Sequence, residues 1–84
     1  MPEDYVSPVI MERVMVKCAI PGERGTEEVD TIEIRDAKTN ALLGFSRIGY
    51  DDGVQALADI LSSKGLSREA NRLRSMVQKL RQRA

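Results

Sequence analysis

Between Tyr50 and Gly65 the chain reads Y-D-D-G-V-Q-A-L-A-D-I-L-S-S-K-G, and the other segments must pack around this one. Val54, Leu57, Ala58 and Leu61 fall at i, i+3, i+4 and i+7, the spacing that gathers apolar groups on one helical face. Ala56 and Ile60 widen that face to roughly half the cylinder at ~100° per residue, more than a helix docked on one side needs. Asp51 reads as the N-cap, its carboxylate accepting from first-turn N–H groups, and Asp52 adds a charge that the helix dipole favours. Lys64 in the last turn and Gly65 just past it close the segment. The spacing predicts a central helix over 52–64, covered on more than one side.

Upstream of it the hydrophobic period is two. From Glu12 onward Val14, Val16, Cys18 and Ile20 alternate with Arg13, Met15, Lys17 and Ala19, so the former set reads as the inner face of a half-buried strand. Pro21 ends it, and P-G-E-R-G supplies a hairpin turn. A second strand covers roughly 27–35. Ile32 and Ile34 share a face, while Val29 is out of phase, which calls for a bulge near Asp30 or places Val29 on the other face. Residues 36–40, D-A-K-T-N, form a second hairpin loop in which Asn40 suits the left-handed conformation. In a third strand over 41–48, Leu43 and Phe45 share one face and Leu42 and Ile48 the other, with Gly44 marking a kink or a close backbone approach.

After Gly65, Ser67 reads as the N-cap of a second helix over about 68–82. Leu66, Ala70, Leu73, Val77, Leu80 and Ala84 step by 4, 3, 4, 3 and 4, a heptad-like seam. The order is β-β-β-α-α: an α+β domain over 9–84, a three-stranded antiparallel meander with both helices on one face, preceded by a flexible tail over 1–8 that holds two prolines and two acids. Two short hairpin loops leave no room for a parallel crossover.

Charge is the most informative functional signal. The formal net charge of zero hides a gradient: residues 1–36 carry nine acids and four bases, whereas residues 67–84 carry six bases and Glu69 alone. Arg68, Arg72, Lys79 and Arg83 line one flank of the second helix's apolar face, a row roughly 22 Å long at 1.5 Å per residue. Arg74 and Arg81 take the other flank. These six cations are the candidate partner- or phosphate-binding residues. They also suit a plainer role, with their stems laid over the seam and their charges solvated or set against Glu27, Glu28, Asp30 and Glu33.

Catalysis finds little support. The chain has no histidine, which removes the usual general base, and with one cysteine it offers no ordinary zinc site. Cys18 reads as a small core hydrophobe. Asp51-Asp52 reads as a cap and a dipole-stabilising charge rather than a cation site. P-G-E-R-G leads into a strand, so it lacks the helix N-terminus that a phosphate cradle uses. The serines of the helical half have no histidine to activate them. No metal, cofactor or small-molecule substrate is implied. A lone cysteine excludes a disulfide scaffold, and the apolar runs are too short for a membrane span. Residues 1–8 lack the basic and apolar regions of a signal peptide, so a reduced cytoplasm is the expected compartment.

The expectation is a non-catalytic protein-binding module, an adaptor, regulator or inhibitor subunit. It would act through its sheet edge and basic helix, on a second copy of itself or on a larger acidic protein. The alternative is a nucleic-acid-binding accessory protein using the basic flank. That reading is weakened by the acidic front half and by a helix without aromatics for base stacking.

Overall fold

The computed structural model describes residues 6–82. Strands β1 (Val9–Ala19), β2 (Thr26–Asp36) and β3 (Leu42–Arg47) precede helices α1 (Asp51–Ser63) and α2 (Ser67–Gln82). The strands form one open sheet in the order β1-β2-β3, both pairings antiparallel. This is the α+β meander that the short loops require.

Turn chemistry fixes both hairpins. In the first, Glu23 N–H donates to the Ile20 carbonyl at 3.1 Å, and Gly22 at φ 76° supplies the left-handed residue that a type II turn needs after Pro21. In the second, the Asp36 carboxylate accepts the N–H groups of Lys38 at 2.8 Å and Thr39 at 2.9 Å, and Asn40 is left-handed at φ 63°. Those donors, Thr39 foremost and Lys38 next, hold the Asp36 carboxyl below the ordinary aspartate range. A depressed folded value gives stability that is present above the unfolded value of ~3.9 and lost as pH falls through the folded one. In Asp36→Ala, the melting temperature is therefore expected to fall less steeply than the parent's across that acid window. Parallel melting curves for the two proteins would remove the turn from the acid response.

Directly opposed residues share a sheet face, so the register sorts the side chains. Met11 opposes Ile34, and Ile32 and Ile34 oppose Ser46 and Gly44; these face the helices. Val14, Val16 and Cys18 oppose Thr31, Val29 and Glu27 on the other face. The expected inner face of β1 is thus the one away from the helices, although Val14, Val16 and Cys18 are half-buried there while Arg13, Met15, Lys17 and Ala19 are exposed. The strand begins at Val9, before the start expected at Glu12, and only Val9 and Met11 bring it into the core cluster. Periodicity groups residues by face but does not say which face will be covered. Cys18 is accordingly a half-buried thiol on the open face, not a core residue.

The β1–β2 ladder runs without a shift from Val9↔Asp36 to Ala19↔Thr26, so Val29 simply lies on the face opposite Ile32. The bulge falls in β3 instead. Ile34 opposes Gly44 and Arg35 opposes Leu42, leaving Leu43 as the extra residue. That residue regroups the strand: Leu43 and Ile48 pack on the core side, while Leu42 and Phe45 are 48% and 65% exposed.

α1 buries Val54, Leu57, Ala58 and Leu61, the four residues its spacing selects. Ala56 and Ile60 are exposed, so its apolar face is narrower than expected. Tyr50, extended at φ −104° and ψ 102°, holds the N-cap position without a side-chain bond. Asp51 is the first helical residue, and its carboxylate is engaged by Arg81 at 2.6 Å instead of capping. The far end is a Schellman closure: Leu66 N–H donates to the Leu61 carbonyl at 2.9 Å and Gly65 N–H to that of Ser62 at 3.0 Å, with Gly65 at φ 78°.

α2 starts one residue earlier than expected. Ser67 is already helical, and the Leu66 carbonyl accepts from Ala70 N–H. Its seam residues Ala70, Leu73 and Val77 are 0–2% exposed and share one cluster with α1 and the sheet. The heptad-like seam is therefore spent inside the molecule, and Ala84 lies outside the described residues. Ser7 and Pro8 are joined to the domain: the Ser7 hydroxyl donates to Glu69 Oε2 at 3.2 Å, and the Pro8 carbonyl accepts from Ala37 N–H at 2.9 Å.

Candidate functional site

The α2 sequence alternates long cations with the residues that bury it, so one flank faces α1 and the other faces outward. Arg81 belongs to the inner flank. Its Nε donates to the Ile48 carbonyl at 2.8 Å while its guanidinium holds Asp51, tying the last turn of α2 to the end of the sheet and the start of α1. Such a half-exposed arginine, with both partners fixed, positions elements rather than waiting for a ligand. Arg74, on the same flank, donates to Asn71 Oδ1 at 3.2 Å. Arg81 and Arg74 thus stand apart from the outer row, Arg81 held between Ile48 and Asp51.

Arg68, Arg72 and Lys79 are brought together as expected. They line a shallow groove of about 780 Å³ along the outer flank, with Met76 and Leu80 between them and Asn71 and Ser75 at its margin. Arg83 lies outside the described residues. The lining contains no acid. Three of the four sheet acids expected as partners are engaged locally: Asp30 with Arg13 at 2.7 Å, Glu33 with Arg35 at 2.9 Å and Glu27 with Arg47 at 3.3 Å. Same-face neighbours reach these carboxylates first, Arg13 and Arg47 from the adjacent strands and Arg35 from two residues along β2 itself.

Two features escaped the sequence reading. Met76 sits beside the seam and is skipped by its 4-3 stepping, yet it packs partly on the core and forms the apolar floor of the groove. Glu69, read as the lone acid of a solvated segment, is 1% exposed. A first-turn glutamate carries no sequence signal for burial; the chain entering β1 reaches it with the Ser7 hydroxyl.

Chemically, this surface offers charge and apolar contact. Among the described residues no cluster of His, Cys, Asp and Glu is arranged to hold a metal ion, and no helix is long and apolar enough to cross a membrane. Comparisons with known protein families, curated proteins and solved structures find no match to this chain.

Proposed function

We propose that this chain is a small non-catalytic protein-binding module, an adaptor, regulator or inhibitor subunit, that receives an acidic partner on the outer flank of α2. The observation that carries this reading is the acid-free groove in which Arg68, Arg72 and Lys79 surround Met76 and Leu80. Cations flanking an apolar floor suit an amphipathic acidic segment: the apolar contact supplies affinity, and the charges steer encounter and set register. The outer edges of β1 and β3, which pair with no further strand among the described residues, offer the same partner a place to add one. A reduced cytoplasm suits a module with one free thiol.

The test replaces Arg68, Arg72, Lys79 and Arg83 by Gln, which keeps most of each stem and the helix propensity. The variant is expected to fold as the parent does and to lose at least tenfold in affinity for an acidic amphipathic peptide. The parent should bind random duplex or single-stranded oligonucleotides only weakly at ~150 mM salt, where screening leaves about an 8 Å Debye length. Submicromolar oligonucleotide binding with a log–log salt slope of about −3 to −4, lost in the variant, would make the row a phosphate site instead.

A further inference from the structure

An antiparallel sheet with one face open to water normally presents polar residues there. This one does not. Val14, Val16, Val29 and Phe45 all stand on the face away from the helices and outside the core cluster; Val29 is buried among its neighbours, Val14 and Val16 are half-buried, and Phe45 is exposed. Val16, Cys18, Val29, Thr31, Phe45 and Tyr50 line a shallow concavity of about 370 Å³ there, which Arg47 borders and which reaches Ser46 and Gly53 at the start of α1. Phe45 and Tyr50 are 65% and 56% exposed, and they are the aromatic residues among those described. Exposed aromatics beside an apolar hollow have the composition of an interface centre.

The border of this face says what covers it. Glu27 is paired with Arg47 and Glu33 with Arg35, so the ring of charge is made of neutral pairs, with Glu12 the remaining acid. Across a two-fold axis every residue approaches its own copy's surroundings, and a border of one sign would repel itself. Paired charges do not. The chain as a whole has zero formal net charge, so two copies meet without long-range repulsion. A strongly charged partner would find no complementary field here, in contrast to the outer flank of α2.

We propose that this open sheet face is a homodimer interface. Two copies stack sheet on sheet at ~10 Å separation, each placing Phe45 and Tyr50 against the apolar hollow of the other. The β1–β2 hairpin, with 11 residues in each strand, gives the face a length of ~36 Å. With three strands ~4.8 Å apart its footprint is at the low end for stable interfaces, so the dimer is expected to form only at micromolar concentration or above. The helices lie on the opposite face, so the dimer and the α2 groove are independent: either is occupied without the other.

The experiment is sedimentation equilibrium from micromolar to several hundred micromolar, with maleimide labelling of Cys18 measured over the same range. The parent mass is expected to double from 9.4 kDa, and Cys18 labelling to slow several-fold as the dimer forms. Phe45→Arg, at a largely exposed position, should remain a monomer with the parent's far-UV circular dichroism and label at one rate throughout. A parent that stays monomeric over the whole range would overturn the proposal, as would labelling independent of concentration. So would a dimer that survives Phe45→Arg, or one lost on neutralising the α2 row but not in Phe45→Arg. The labelling of the parent decides the matter even if the variant fails to fold.

Discussion

Leu57→Ala is expected to lower stability by about 2–5 kcal/mol, the usual range for emptying a buried leucine site. Leu57 is 3% exposed at the centre of α1's buried face, and it lies directly over the backbone of Gly44. A Cβ at Gly44 would come within 2.5 Å of Leu57 Cδ2, so the leucine already fills the space that a side chain on β3 would take. Truncation opens a cavity between α1 and β3, and Gly44 has nothing to collapse into it. For a domain of this size total stability is on the order of 4–12 kcal/mol, so the loss unfolds a large share of the molecules. Chemical denaturation measures it directly. Gly44→Ala in the Leu57→Ala background should recover part of the loss, because the new methyl enters the vacated space. A melting temperature within a few degrees of the parent's would show that Leu57 is not packed between helix and sheet.

Gly53→Val is expected to destabilise by about 2–3 kcal/mol, against the direction of helix propensity. A glycine inside a helix ordinarily costs roughly 1 kcal/mol relative to alanine, so adding a side chain usually helps. At Gly53 a Cβ would overlap Ser46 Oγ and lie 2.9 Å from Tyr50 Cδ2 and 3.0 Å from Ser46 Cβ. The missing side chain is what lets the first turn of α1 come down on β3. Overfilling a packed contact of this kind typically costs 1–3 kcal/mol, and valine's branched Cβ sits at the upper end. Ser46→Gly should restore most of the loss by clearing the opposing side chain. A Gly53→Val protein as stable as the parent would mean that the approach is looser than these distances require.

The two glycines illustrate what the sequence does and does not disclose. Gly44 is legible as a close approach because a glycine interrupts an apolar strand, whereas Gly53 is hidden among ordinary first-turn residues. The fold class follows from local signals alone: two short turns with Pro, Gly and Asn, then two segments of helical period. Sidedness does not. Val14, Val16 and Cys18 form a clean alternation, yet the helices cover the other face, a choice made by α1 docking on Ile32, Ile34 and Ser46. The bulge at Leu43 was equally invisible, since moving one residue regroups Leu42, Leu43 and Phe45 without altering composition. For the basic flank, helical geometry was enough to place Arg68, Arg72 and Lys79 together. It was not enough for Arg81, whose role depends on Ile48 and Asp51, more than a full helix distant in sequence.

The hydrogen bond from Ser7 to Glu69 links residues 62 apart in sequence, whereas every sheet pairing joins neighbours along the chain. During synthesis the meander emerges first and closes on itself through local contacts, which form fast. The chain entering its first strand lacks the Ser7–Glu69 bond, and α1 alone covers the helix side of the sheet, until α2 leaves the ribosome. At ~5–20 residues per second the 16 residues of α2 follow α1 within roughly one to three seconds. For that interval the nascent chain exposes apolar residues on both faces of its sheet, and completing α2 ends the exposure on one of them.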